Sequence, residues 1–496
     1  MKTALTLLAL IAPAALIATP SPAPDAEQAS SANATLHIHG AALPYRTTAG
    51  TLTIRDDAGA PTASVFYVAY TAPGPDRPVT FLFNGGPGSA SLWLNMGGFG
   101  PLRAPANAPH PLPPAPWRLE ENQASILDKS DLVFIDAVGT GYSRALGTTD
   151  PKSFWGVDQD VDAFARAITR YLTINNRWSA PKFLFGESYG TTRAAALALK
   201  LHNQGIDLNG VVLLSTILNF SDDLPGRDEG VIGLLPSFAA AAYYHNRVPN
   251  RPADMAAFLN EVRAFASGPY AHALAKGDAL SPQEETEVAQ QLSRYTGLSP
   301  AWLRANHLRI DMERFRSELL RGQGLITGRF DSRFTEAASH ADESVAVDPA
   351  TNDPATAGVT SAIQTTYRDW LSGTVGFHTD LAYRALYNSV IEPAWDNHHR
   401  APGYGYALSS PNTALDLASA MRANPTMKVL VMNGLFDMAT PFFKTEYDID
   451  HMELPGTLRD NIAMGYYATG HMAYVDNDAM AAMKRDLDGF YTRAKR

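Results

Sequence analysis

The sequence predicts an α/β fold: a mostly parallel central sheet flanked by helices, with a helical cap inserted into it. Three observations carry this. Short apolar runs end in glycine-rich turns at VTFLFN (79–84), DLVFID (131–136), KFLFGE (182–187) and KVLVMNG (428–434). Such runs read as strands buried on both faces, as in parallel sheets. Segments of helical character lie between them, and strand alternating with helix is the rhythm of crossover connections. That rhythm then breaks, and residues 219 to 428 pass before it resumes.

The elements follow in order. Residues 1–25 form a signal-peptide pattern running into a linker. Lys2 precedes an apolar stretch from Ala4 to Ile17, then small residues and prolines, which places cleavage between Ala18 and Ala26. The stretch is too short and too interrupted by proline to span a bilayer. The expected product is an exported protein, periplasmic or secreted, with no membrane anchor in its mature form. Residues 21–33 are rich in Pro, Ala and Ser and predict a disordered linker. Alternation over 35–70, punctuated by Asp57 and Gly59, predicts hairpins.

Residues 26–235 are expected to form the first part of the core. Val157, Val161, Phe164, Ile168 and Leu172 recur at helical spacing, so 157–172 predicts an amphipathic helix. TTRAAALALKLH (191–202) is rich in helix formers, and VVLLSTIL (211–218) reads as the next strand. Residues 236–400 are expected as the cap, with helical pieces at 253–266, 282–295, 308–321 and 361–371. Residues 401–496 complete the core, with a strand and loop at 461–471 and a closing helix at 478–495.

The chain of 496 residues is 45% hydrophobic and 18% charged, an ordinary globular composition. Its net charge of −10 argues against nucleic acid as the main partner. It has no cysteine, which excludes disulfides, thiolate metal sites and a cysteine nucleophile. Neither G-x-G-x-x-G nor a Walker lysine is present, so the glycines do not read as a dinucleotide or nucleotide site. No cofactor and no metal is expected.

The chemistry concentrates in Gly186-Glu187-Ser188-Tyr189-Gly190. This G-x-S-x-G follows an apolar strand and opens an alanine-rich helix, the strand–turn–helix of a nucleophile elbow. Ser188 is therefore the candidate nucleophile. A serine needs a base, and the base an orienting acid. In α/β-hydrolase topology these follow in the order Ser, acid, His. Asp437 ends the strand VLVMNGLF, and His471 sits in a glycine-flanked loop after the next strand. His398, His399 and His451 lie outside strand ends and are weaker candidates. The amide of Tyr189, following the nucleophile, supplies one oxyanion donor. Asn84-Gly85-Gly86-Pro87-Gly88 fits as the source of the second, because glycines let amides approach a reacting carbonyl.

FLFNGGPGSAS (81–91), DLVFIDAVGTGYS (131–143), GESYG (186–190), NGLFD (433–437) and ATGHM (468–472), in this order, resemble the serine carboxypeptidase family of α/β-hydrolases. The resemblance implies Ser188, Asp437 and His471 as the triad, and the amides of Gly86 and Tyr189 as the oxyanion hole. It implies that Asn84, the Gly85 amide and Glu187 hold the free C-terminal carboxylate of a peptide substrate. It also implies metal-independent removal of the last residue, favoured at acidic pH. Two departures matter, one being that the disulfides of many members are absent. Family members commonly carry a second Glu in the segment that here reads SLWLNMGGFGP, and Gly98 stands at its place. Asn95 or a cap residue is left as the candidate substitute. An esterase or acyltransferase on the same scaffold is the competing expectation. A non-catalytic scaffold is a third, which an intact triad disfavours.

Overall fold

The computed structural model describes residues 26–110, 112–220, 226–338 and 353–495. The signal-peptide reading of residues 1–25 lies outside them. The central sheet is built from β1 (Ala29–Ile38), β2 (Ala41–Arg55), β3 (Pro61–Thr71), β4 (Val79–Phe83), β5 (Asp131–Ile135), β6 (Lys182–Glu187), β7 (Gly210–Leu214), β8 (Lys428–Gly434) and β9 (Ile462–Tyr467). Their order across the sheet is β1-β2-β3-β5-β4-β6-β7-β8-β9. The first three strands form an antiparallel meander, and β3 joins β5 antiparallel. From β5 through β4, β6, β7 and β8 to β9 every pairing is parallel. This is the α/β-hydrolase arrangement, and it gathers the C-terminal ends of the parallel strands along one edge.

Strands β4, β5, β6 and β7 are buried along their whole length. Both faces are covered, which is why their sequences are apolar runs rather than alternations. On one face lie α1 (Val157–Ile174), α2 (Tyr189–Asn203) and a helix at Ala414–Ala423. Helix α1 starts with Asp158 and Asp160 in its first turn, where the helix dipole favours acids, and buries Val161, Phe164, Ile168 and Leu172. The opposite face carries a π-helical turn (Trp93–Phe99), a helix at Pro354–Gly373 and the closing helix Asn477–Ala494.

Two expectations about the strands change. Residues 29–33 are not linker: they belong to β1, which pairs with β2 from Ala29 to Ile38. An edge strand exposed on its outer side tolerates small polar residues, so composition alone misreads it. VVLLSTIL also stops early, because Ser215 turns to φ +52° after Leu214.

Helices at Glu229–Tyr244, Met255–Phe265, Pro282–Thr296 and Met312–Leu319 make a separate apolar cluster containing Phe238, Val262, Leu292 and Phe315. Phe238 and Phe315 stack with ring centroids 4.1 Å apart. Residue 236, the expected start of the cap, falls inside the first of these helices. The helix Pro354–Gly373, expected in the cap, instead places Val359, Ile363, Tyr367 and Trp370 in the cluster against the main sheet. Among the described residues, no helix is long and apolar enough to cross a membrane.

Candidate active site

Strand β6 ends at Glu187 and helix α2 begins at Tyr189, so a single residue makes the turn. That residue, Ser188, has φ +58° and ψ −132°. A non-glycine residue held there is strained, as a nucleophile elbow requires. The flanking glycines are demanded by contact. A Cβ on Gly186 would come within 2.1 Å of the Gly190 carbonyl, and one on Gly190 within 2.7 Å of the Phe83 carbonyl. The Ser188 amide donates to the Leu214 carbonyl at 3.0 Å, fixing the elbow to the neighbouring strand end.

Asp437 and His471 follow β8 and β9. His471 Nδ1 lies 2.7 Å from Asp437 Oδ2. Asp437 is fully buried and accepts from the amides of Ala439 and Thr440 at 2.8 and 3.0 Å and from the Thr440 hydroxyl at 2.6 Å. These donors satisfy a carboxylate that would otherwise be costly to bury. The His471 amide donates to the Phe330 carbonyl at 2.6 Å, and Ser215 Oγ donates to the His471 carbonyl at 2.6 Å. Burial opposes a charge on the His471 ring, but Asp437 and then Glu187 outweigh it, so its pKa stands above the ordinary value. Ser188 and His471 line one cavity of about 220 Å³, without a hydrogen bond between their side chains.

The loop 84–88 lies against the elbow. A Cβ on Gly85 would sit 2.4 Å from the Tyr189 amide nitrogen, so only glycine allows this approach. The Tyr189 amide opens α2 and has no helical carbonyl to receive it. Gly86, at φ +108°, lies on the cavity wall with Asn84, Gly85 and Tyr189. The two amides proposed as oxyanion donors therefore border the same space as Ser188. Behind them, Arg193 Nε and Nη2 reach Asp160 at 2.6 and 3.2 Å, and its Nη1 donates to the Asn84 carbonyl at 2.7 Å.

Glu187 does not point to solvent; it is 2% exposed. Asn84 Nδ2 donates to one of its oxygens, and the Tyr474 hydroxyl lies 3.0 Å from both. Asn84 Oδ1 in turn accepts from the Leu94 amide at 3.0 Å. Burial pushes the Glu187 carboxyl up to about 7, against the pull of His471, Tyr474 and Asn84. It borders the cavity as a carboxyl that takes up a proton near neutrality.

Tyr474, on the loop beyond His471, is one residue that sequence reasoning missed. Its ring fills the side-chain space of Gly97 and Gly98: a Cβ on Gly98 would meet it at 3.2 Å. The partner of Glu187 is thus a phenol from the His471 loop. Asn95 does not take this role. It is fully buried and accepts from the Tyr70 hydroxyl at 2.8 Å. Phe330, whose ring lies 4.9 Å from that of His471, was also missed. Neither residue carries a motif; each reaches the site through long-range packing. His399 is buried between Asp158 and Asp416, at 2.6 and 2.8 Å. His398 pairs with Asp396 and His451 with the Tyr447 carbonyl, and none of the three histidines lines the cavity.

Among the described residues, one group (His39, Asp128 and Asp488) brings three possible metal ligands together. Lys484 pairs with both of those aspartates, so the charges there are already met.

The serine carboxypeptidase family model matches residues 39–257 of this chain. That stretch carries the loop 84–88 and the elbow, while Asp437 and His471 lie beyond it. The chain is 28% identical over 179 residues to a retinoid-inducible serine carboxypeptidase of Rattus norvegicus, a match covering 33% of this chain and 34% of that protein. Among solved structures it is similar to a proline iminopeptidase of Mycobacterium smegmatis, at 15% identity and a TM-score of 0.37, over 90% of this chain and 99% of that one. A thermophilic esterase from Thermogutta terrifontis aligns at 11% identity and a TM-score of 0.38, over 89% of this chain and 98% of that one.

Proposed function

We propose that this chain, which matches the serine carboxypeptidase family over residues 39–257, is an exported serine carboxypeptidase that hydrolyses the C-terminal residue from peptides. The observation that carries this reading is Glu187: a buried, protonatable carboxyl beside the nucleophile, held by Asn84 and Tyr474. Such a group suits a ligand that brings its own carboxylate, since two carboxyl groups in contact share a proton rather than both ionise. Export rests on the composition of residues 1–25.

In this mechanism the substrate's terminal carboxylate lies against Asn84, the Gly85 amide and Glu187, which sets the scissile carbonyl over Ser188. His471 takes the Ser188 proton as Oγ attacks, and the amides of Gly86 and Tyr189 hold the oxyanion. Asp437 fixes the ring and stabilises the imidazolium. His471 then protonates the leaving amine, and water, activated by the same histidine, releases the acyl group.

Binding requires a proton on Glu187, and attack requires none on Nε2 of His471. Acidic pH favours the first. The raised pKa of His471 opposes the second, so activity peaks where the two limbs cross.

An N-blocked dipeptide, the same peptide amidated at its C-terminus and a simple ester separate this reading from an esterase or acyltransferase. The free acid should be cleaved far faster than the amide. Equal rates overturn the carboxypeptidase reading. Turnover by Ser188→Ala at the wild-type rate overturns the nucleophile.

A further inference from the structure

We infer that Arg329, with Thr356 and Trp93, forms the pocket for the side chain of the substrate's C-terminal residue and selects an acidic one, glutamate or aspartate. This rests on the carboxypeptidase reading, which places the terminal carboxylate at Glu187.

One wall of the catalytic cavity adjoins Glu187. Tyr474 touches Glu187 and packs on Gly97 of the π-helical turn, and Ile363 of the helix Pro354–Gly373 packs on the same glycine. Asp353 caps that helix and accepts from the Arg329 amide, which ties Arg329 to the start of the helix; Arg329, Thr356 in its first turn and Trp93 of the π-helical turn all line the cavity. In the inferred binding mode, a residue whose carboxylate lies at Glu187 turns its side chain toward this wall.

The wall holds three polar groups that no protein atom satisfies. Arg329 Nε, Thr356 Oγ1 and Trp93 Nε1 are buried without a hydrogen-bond partner among the described residues, and all three residues line the cavity. Two are obligate donors and the third is a hydroxyl able to donate. Nor does the Arg329 guanidinium form an ion pair among the described residues. It lies over the Phe330 ring, 5.4 Å from its centroid, and that ring packs against His471. Buried donors and a cation left without acceptors are costly unless a ligand supplies them. A carboxylate side chain supplies the acceptor that the Arg329 guanidinium lacks; an aliphatic side chain supplies none.

The other acids in the cavity do not serve. Glu187 is taken by Asn84 and Tyr474. Glu392 is bonded by Asn388 at 3.0 Å, and Asn388 packs against Gly86 and Gly88 of the loop 84–88.

The test is kcat/KM for N-blocked dipeptides ending in Glu, Gln, Leu and Lys, with the wild type, Arg329→Met and Arg329→Lys. The wild type should prefer Glu over Gln by roughly tenfold or more, the scale of a charge-assisted hydrogen bond. Arg329→Met should lower the Glu-to-Leu ratio by a similar factor, and Arg329→Lys should restore part of it. A uniform fall on all four peptides, with the ratio kept, overturns the inference, as does a wild-type preference for Lys or Leu. Both outcomes leave the carboxypeptidase reading standing. Failure to cleave any free-acid peptide while the ester is hydrolysed removes that reading and the inference with it.

Discussion

Tyr474 places its hydroxyl 3.0 Å from each carboxylate oxygen of Glu187, and its ring occupies the space beside Gly98. The missing side chain at 98 and the aromatic residue on the loop beyond His471 are thus one arrangement: the glycine makes room, and the tyrosine supplies the polar partner.

Removing that phenol should move the titration of Glu187. The Tyr474 hydrogen bond lowers the Glu187 pKa, so its loss in Tyr474→Phe raises it further above about 7. The pH at which KM for a free-acid peptide begins to climb should shift upward. A downward shift would show that the phenol does not stabilise the ionised carboxylate.

Glu187→Gln tests the proton itself. The amide cannot titrate, so KM for free-acid peptides should become flat across the range around pH 7 where the wild type weakens. An unaltered KM profile in the variant would separate Glu187 from carboxylate binding.

His399 predicts a pH-dependent stability unrelated to catalysis. Burial opposes its charge, but Asp158 and Asp416 at the two ring nitrogens raise its pKa to about 9. Its unfolded value is ~6.5. A group raised on folding stabilises fully below the unfolded value, and the contribution is lost as pH rises through the folded one. Thermal melts should therefore show Tm falling between about pH 6.5 and 9 in the wild type. His399→Gln should be less stable at pH 6 and lose this part of the slope; an unchanged slope counts against the pairing.

Asp160→Ala should destabilise strongly. It leaves the Arg193 guanidinium, 1% exposed, without its carboxylate. Breaking a buried pair from one side costs about 3–5 kcal/mol. Because Arg193 also holds the Asn84 carbonyl, KM for free-acid peptides should rise in whatever fraction stays folded. Denaturant unfolding measures the first effect and steady-state kinetics the second.

The legible parts of this chain are those where local pattern and tertiary role coincide. Strands β4 to β7 are covered on both faces, so their apolar runs needed no context. Ser188, Asp437 and His471 could be proposed together from the sequence because each stands just past a parallel strand, where glycines mark the turn. Tyr474 and Arg329 could not, since nothing in their neighbourhoods distinguishes them from any tyrosine or arginine in a loop. Their meaning comes from what a distant segment leaves open: a gap at Gly98, or donors without acceptors. The first half of strand β1 was misread as linker because pairing along β2, rather than residue preference, makes it a strand.

The carbonyl of Phe330 receives the His471 amide at 2.6 Å, and Phe330 belongs to the chain that returns from the inserted helices. The histidine is therefore clasped by a segment foreign to the sheet that delivers it. A version trimmed to strands and flanking helices would not be a smaller catalyst with broader taste. It would keep Ser188 and lose the contact that steadies His471. Swapping the insertion between relatives to change preference would, for the same reason, retune turnover along with selectivity.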